Sequence, residues 1–530
     1  MTDYLIVGGG SAGCVLAARL SEDPDVSVML LEAGDRDVRP EIHIPATFSK
    51  LFQSEADWNY HTVSQPHAGG RELYWPRGKV LGGSSSINAM IYVRGHPADF
   101  DGWAAAGCDG WGFSDVLPYF KRSEDNERGA SAYHGVGGPF RVEDPKDPSP
   151  VSLAFLDAAE ATGHARNPDF NGAEQAGAGL YQLTQKRGRR VSAATAFLKP
   201  ASRRPNLTVR TGAHVRRVVV EGGRATGVEV AVDGRVETVS AEREVVVCGG
   251  AVNSPQILML SGIGPADELG ALGIDVVLDR PAVGGNLHDH LITGLHYALT
   301  EPVSLVNAEG IGSVLRYLVT RRGMLASNVA ESGLFVDSAG AGGVPDLQFH
   351  VAPVLFAGHG ITPPTDHGFS IGPTLVRPQS RGRLRLQSAD PQAHPLIDPN
   401  ALAEPADVAV LVAGLRLARE IAEAGPLDRF RGDPIAPAPA SFSDADLAAH
   451  VRQTCETLYH PVGTCRMGAD ADSVVDPELR VRGVDGLRVV DASVMPTITN
   501  GNTNAPTLMI AERAADLIRA EAGYVLDGSV

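Results

Sequence analysis

A glycine turn near the start of the chain carries the clearest chemistry. The apolar run Tyr4-Leu5-Ile6-Val7 enters Gly8-Gly9-Gly10-Ser11-Ala12-Gly13, which contains the pattern Gly8-x-Gly10-x-x-Gly13. Gly8 permits a tight turn, Gly10 lets backbone come close to a pyrophosphate, and Gly13 lets the following helix lie against the strand. The free N–H groups at the start of that helix, from Ser11 and Ala12 onward, suit an anion. A second apolar run, Val26 to Leu31, ends at Glu32, 19 residues after Gly13, where an acid can hold a ribose hydroxyl. This set predicts a dinucleotide site and does not choose between NAD and FAD. Two residues near the other end of the chain, His460 and Asn504, are of types that take protons or donate hydrogen bonds. Taken singly, each reads first as structural. Asn504 stands where it would cap a helix, with Pro506 in the first turn and Leu508, Ala511, Ala515 and Ile518 at helical spacing. His288-Asp289-His290 resembles a metal pattern at first sight.

These residues need elements to hold them. Small residues Ala12, Cys14, Ala17 and Ala18 suit a helix packed on the first strand. A second strand-turn-helix is expected from Glu244 to Cys248, through Gly249-Gly250, into a helix capped by Ser254 with Pro255 in its first turn and an end at Gly262. Between residues 209 and 240, β-branched runs separated by Gly222-Gly223 and Asp233-Gly234 predict a small antiparallel meander. A strand is expected at Leu487 to Val490.

Bulk composition narrows the partners. The chain has 530 residues, 43% apolar and 21% charged, as soluble folded proteins do. With 63 acidic against 46 basic residues the net charge is −17, which disfavours nucleic acid. Arg187 to Arg190 and Arg321-Arg322 are short and read as solvated loop charge. The five cysteines, Cys14, Cys108, Cys248, Cys455 and Cys465, are far apart and lack C-x-x-C pairs, which suits a reducing compartment. No signal peptide precedes the first strand, and no apolar run approaches the roughly 20 residues that span a bilayer. The expectation is a cytoplasmic protein without a transmembrane segment, with peripheral membrane contact left open.

Four longer stretches carry a resemblance. Residues 78 to 95 read GKVLGGSSSINAMIYVRG and residues 250 to 264 read GAVNSPQILMLSGIG. Residues 460 to 468 read HPVGTCRMG, and 487 to 518 read LRVVDASVMPTITNGNTNAPTLMIAERAADLI. In type, order and spacing they resemble the glucose–methanol–choline (GMC) oxidoreductases, in the branch of choline and alcohol dehydrogenases. The resemblance implies an α/β fold, α+β in part: a Rossmann-type FAD-binding domain with a discontinuous substrate-binding lobe on an antiparallel sheet. The expected division is 1–150, 201–300 and 456–530 for the FAD-binding domain, and 151–200 and 301–455 for the substrate lobe.

It also implies roles. The cofactor would be held by Gly8, Gly10, Ser11, Ala12, Gly13, Glu32 and Ala33 at the dinucleotide turn, and by Val80, Gly83, Asn88, Ala89, Met90 and Ile91 around the flavin. Val215 would touch the adenine end, and Tyr459, Asp491, Ala492, Asn502 and Thr503 would complete the site. Relatives that bind flavin covalently use a histidine where this chain has Ile87, so non-covalent FAD is expected. His460 matches the family's base, and Asn504, 44 residues on, is expected as the second polar group. Glu331, which by default reads as a structural acid, and Leu458 are the candidate substrate contacts, and no metal is expected at residues 288–290. The implied reaction is oxidation of a primary alcohol to an aldehyde by hydride transfer to flavin N5. Electrons would pass to O2 or a quinone-type acceptor, and a homodimer is left open. A flavin-containing hydroxynitrile lyase, without net redox, is the alternative. With a histidine base near its ordinary pKa of about 6.5, activity is expected to rise between roughly pH 6 and 8.

Overall fold

The computed structural model describes residues 2–438 and 442–523, so residues 524–530 of the last expected segment lie outside the described residues. Two sheets organise the chain. The first runs in the order Leu207–Arg210, Val28–Leu31, Thr2–Val7, Arg235–Val247, Arg224–Val232, Ala213–Glu221, with Leu487–Val489 also paired to Arg235–Val247. Its centre is parallel: Tyr4 to Val7 pair with Val28 to Leu31 on one side and with Glu244 to Val247 on the other. Strands buried on both faces need continuous apolar runs, which is what Leu5-Ile6-Val7 and Val245-Val246-Val247, all buried, provide.

The long strand Arg235–Val247 joins the two parts of this sheet. Its first part pairs antiparallel with Arg224–Val232, giving the expected meander, and its last part joins the parallel core. Both predicted turns take the left-handed backbone that two-residue hairpins require, Gly222 and Gly223 at φ +58° and +82°, Asp233 and Gly234 at +49° and +75°. The following helix departs from expectation. It starts at Gly250 rather than at Ser254 and runs to Leu260 with Pro255 inside it. The proline removes a donor, and the freed carbonyl of Ala251 is taken by the Thr464 hydroxyl at 2.7 Å.

The second sheet is antiparallel, in the order Arg431–Ala436, Leu295–Leu299, Gly368–Leu375, Leu347–Ala352, Ser332–Val336, Gly177–Leu180. Leu291–Leu299, which the expected division put with the first sheet, pairs in this one. Helices Pro150–Ala161, Pro405–Ala422 and Asp444–Thr454 contribute to its apolar core. The first helix, Ser11–Leu20, and the last, Asn504–Glu521, pack together in the core of the first sheet. Among the described residues no helix is long and apolar enough to cross a membrane. All five cysteines are buried and free.

Candidate active site

The dinucleotide turn has the form its glycines predict. Gly8 has φ +103°, and a Cβ on it would lie 2.5 Å from the carbonyl oxygen of Cys248. A Cβ on Gly13 would lie 1.9 Å from Gly8 O, so only glycine lets the first helix sit this low on the strand. Gly10 differs, because a Cβ there would meet nothing nearer than 4.0 Å. That opening lies at the N-terminus of helix Ser11–Leu20, as an anion site requires. The buried Glu32 carboxylate accepts the N–H groups of Gly9 at 2.7 Å and Gly34 at 2.8 Å, one on each oxygen. Burial pushes its pKa up to about 7. It therefore holds the turn itself, and each oxygen keeps a lone pair for a hydroxyl.

A cavity of about 720 Å³ opens from this turn into the second sheet, within the ~300–1,000 Å³ usual for cofactor and ligand sites. Its wall contains most of the expected residues: Gly8, Gly10, Ser11, Ala12, Glu32, Ala33, Gly83, Asn88, Ala89, Met90, Ile91, Val215, Leu458, Tyr459, His460, Asp491, Ala492, Asn502, Thr503 and Asn504. Gly13 and Val80 are absent from it. Gly13 is taken up by helix packing, and Val80 is buried among Ile42, Phe48 and Leu51. Asp491 is bound by protein on both oxygens, accepting from Gly250 N–H, the Ser254 hydroxyl and Ser493 N–H at 2.6 to 2.8 Å. Ser254 thus ties strand end to helix instead of capping the helix.

Glu331 stands apart from the other candidate contacts. It does not line the cavity; it is buried and accepts from Ser149 N–H and the hydroxyls of Ser152 and Ser327 at 2.6 to 2.7 Å. Burial raises its pKa against those three hydrogen bonds. All three bonds tie it to its own chain, away from the cavity.

His460 is held by the segment beside it. Residues 456–462 run antiparallel to 288–292, with Leu458 N–H donating to His290 O at 2.9 Å and His288 and Val462 exchanging backbone bonds at 3.1 Å. The Asp289 carboxylate accepts the backbone N–H of His460 at 2.7 Å and of His290 at 2.9 Å, and it also accepts the Thr457 hydroxyl. Burial pushes Asp289 up to about 7. His290 Nδ1 meets His460 Nδ1 at 3.0 Å, with the rings perpendicular.

On the other side of the ring, His460 Nε2 lies 3.3 Å from the amide nitrogen of Asn502. The amide oxygen of Asn502 accepts from Gln348 Nε2, also at 3.3 Å. The expected partner, Asn504, is the first residue of the last helix, and its amide oxygen accepts the Ser11 hydroxyl at 2.8 Å. Asn502 occupies the place expected of Asn504 because Gly501, at φ +116°, turns the chain just before it. Burial lowers the pKa of His460 well below the ordinary imidazole value, and the nearby His290, His350 and Arg77 add to this.

Three polar residues of this region were missed in the sequence. His290 stood inside the apparent metal pattern, but its contact with His460 depends on the pairing of two distant segments. Gln348 and His350 lie on the wholly buried strand Leu347–Ala352; polar residues inside an apolar strand were the available signal. His350 lines the cavity, hydrogen-bonds Thr374 through Nδ1 at 3.1 Å, and has no partner for Nε2 among the described residues. Burial pushes its pKa down to about 3. No group of three or more His, Cys, Asp or Glu among the described residues is arranged to hold a metal ion.

Known proteins are similar to this chain over nearly its whole length. GMC oxidoreductase family profiles match residues 2–292 and 378–511. The chain is 47% identical to an alcohol dehydrogenase (acceptor) of Pseudomonas putida over 527 residues, 98% of this chain and 96% of the other. It is 45% identical to mitochondrial choline dehydrogenase of Homo sapiens over 534 residues, 98% of this chain and 90% of the other. The crystal structure of pyridoxine 4-oxidase from Mesorbium loti superimposes with a TM-score of 0.91 at 36% identity, covering 99% of this chain and 100% of that one. The residues present fit the family's FAD: the unfilled space over Gly10, the helix N–H groups and the acid at the second strand's end form a cradle for a dinucleotide. The chain belongs to the GMC oxidoreductase family, FAD-dependent enzymes acting on CH–OH groups.

Proposed function

We propose that this enzyme oxidises a primary alcohol to an aldehyde, with His460 as the base and Asn502 as the hydrogen-bond donor to the substrate oxygen. The observation that carries the reading is the hydrogen-bond chain through the base. Gln348 donates to the Asn502 oxygen, which turns the Asn502 N–H toward His460 Nε2. Nε2 is then the unprotonated nitrogen, and the proton sits on Nδ1, where it donates to His290. His290 must then accept at Nδ1 and carry its own proton on Nε2, an atom without a hydrogen-bond partner among the described residues. Burial keeps His290 neutral, its pKa pushed down to about 3. The base therefore presents a lone pair toward Asn502 in the tautomer that proton abstraction needs.

An alcohol oxygen seated between the two groups would give its proton to Nε2 and accept the Asn502 N–H. A neutral amide stabilises the growing alkoxide charge without competing for the proton. FAD, held non-covalently because Ile87 offers no nucleophile, supplies the hydride acceptor when bound. His350 Nε2, without a partner among the described residues, is available to the substrate. Phe48, Phe52, Val329 and Phe356 in the cavity wall, with Glu331 turned away, favour an uncharged alcohol over a cationic one.

The test is anaerobic mixing of purified protein with aliphatic and aryl alcohols and choline while flavin absorbance is followed. We expect bleaching, fastest with an uncharged primary alcohol; no bleaching with any of them would overturn the reading and favour a lyase without net redox. Recolouring on admission of air then reports whether O2 or another acceptor, such as a quinone, is used. Acid precipitation should release all the yellow cofactor into solution, and colour retained on the pellet would mean a covalent bond.

A further inference from the structure

The helix Ile311–Thr320 is apolar on its outer side. Val314 and the buried Tyr317 face inward onto Ala308 and Leu325. Ile311, Leu315, Leu318 and Val319 are 82, 57, 56 and 83% exposed. These positions, i, i+4, i+7 and i+8, share one face, where a surface helix ordinarily carries polar groups.

The fold gathers positive charge beside that face from two stretches that looked unrelated in the sequence. Tyr317 Oη donates to Gly188 O at 3.0 Å, and a Cβ on Gly188 would lie 2.1 Å from Arg321 O, so the turn at 187–188 is pressed against the helix end. The Arg321 guanidinium stands over the Tyr317 ring at 5.0 Å. Lys186, Arg187, Arg189 and Arg322 are exposed and Arg321 is half-buried. None of these five forms an ion pair among the described residues, whereas Arg316 is paired with Asp147 at 3.2 Å. On a chain of net charge −17, a basic cluster without ion pairs next to an outward apolar stripe suits a partner that is anionic and apolar at once.

We propose that this face docks on an anionic phospholipid surface. The apolar stripe would enter the boundary between headgroups and acyl chains, and the five basic residues would lie against lipid phosphates. A second copy of the chain is a poorer occupant, since a symmetric contact would set the same cations against each other. The segment beyond the helix continues to Asn328 and Val329 in the cavity wall, so docking sets that wall near the lipid surface. The inference is independent of which alcohol or acceptor the enzyme uses.

Purified holoenzyme would be sedimented with phosphatidylcholine vesicles, with and without phosphatidylglycerol, at low and high salt. We expect it to pellet with the anionic vesicles and to be released by salt. The double variant L315E/V319E should stay in the supernatant, and R321E/R322E should partition more than about tenfold more weakly. Both should turn over alcohol with a soluble dye acceptor at the wild-type rate, which shows that they fold. No pelleting of the wild type, or pelleting indifferent to both pairs, would overturn the proposal. So would a wild-type dimer in solution that L315E/V319E converts to monomer, because a second copy would then cover the face.

Discussion

At His460 two demands meet: the imidazole must be unprotonated to act as a base, and it must keep one orientation. Burial answers the first and the contacts at both ring nitrogens answer the second. We expect Asn502→Ala to lower kcat/KM by about 10²–10³-fold, whereas Asn504→Ala should leave the anaerobic bleaching rate near wild type and weaken FAD retention through loss of its bond to Ser11. Equal losses of bleaching rate in the two variants would refute the assignment. The lowered His460 pKa also changes the expected pH dependence. Since the neutral form is the active one, the acid limb of kcat/KM moves well below the ordinary histidine value of about 6.5, not to pH 6–8 as the sequence suggested. Burial pushes Asp289 up to about 7 beside His460, so the profile is best recorded in Asp289→Asn as well. A step at 6.5 that survives this substitution would point to a base other than a buried histidine. The histidine was legible because its motif is long, but counting 44 residues from it could not tell Asn504 from Asn502. Which amide faces the imidazole is decided by the turn at Gly501.

Secondary-structure elements with a local cause were read well. The meander followed from two pairs of residues that tolerate positive φ, and the first helix from glycines without which it would collide with its own strand. Elements decided by distant partners were not. Pro255 suggested a helix start, yet the helix begins five residues earlier because Thr464 satisfies the carbonyl the proline leaves free. Glu331 is similar: the resemblance offered a substrate contact beside a structural role, and in the fold it joins the start of helix Pro150–Ala161 to the stretch before strand Ser332–Val336. Glu331→Ala should cost on the order of 3 kcal/mol of stability, since three buried donors lose their acceptor, while the bleaching rate at saturating alcohol stays near wild type. A raised KM with unchanged urea midpoint would show instead that the acid serves the substrate.

For the whole molecule, the cavity between the two sheets is large enough that its occupant matters to stability. Removing FAD should lower Tm, and added FAD should restore it in a concentration-dependent way, by about 2.7 kcal/mol at a hundredfold excess over Kd. A Tm indifferent to added FAD would argue that this cavity is not where the cofactor binds. By itself the sequence determined the family and the dinucleotide turn, and it shows that Ile87 offers no flavin-linking nucleophile. Those rest on residue types in unbroken local order, where backbone sterics and side-chain chemistry act over a few positions. Only the tertiary structure decided that Asn502 rather than Asn504 lies against the His460 ring, that His290 and Gln348 flank this pair, that Glu331 lies outside the cavity wall, and that Lys186 to Arg189 and Arg321-Arg322 come together at the surface. Each of these depends on segments far apart in the chain whose approach is set by sheet register and core packing, which no local pattern encodes.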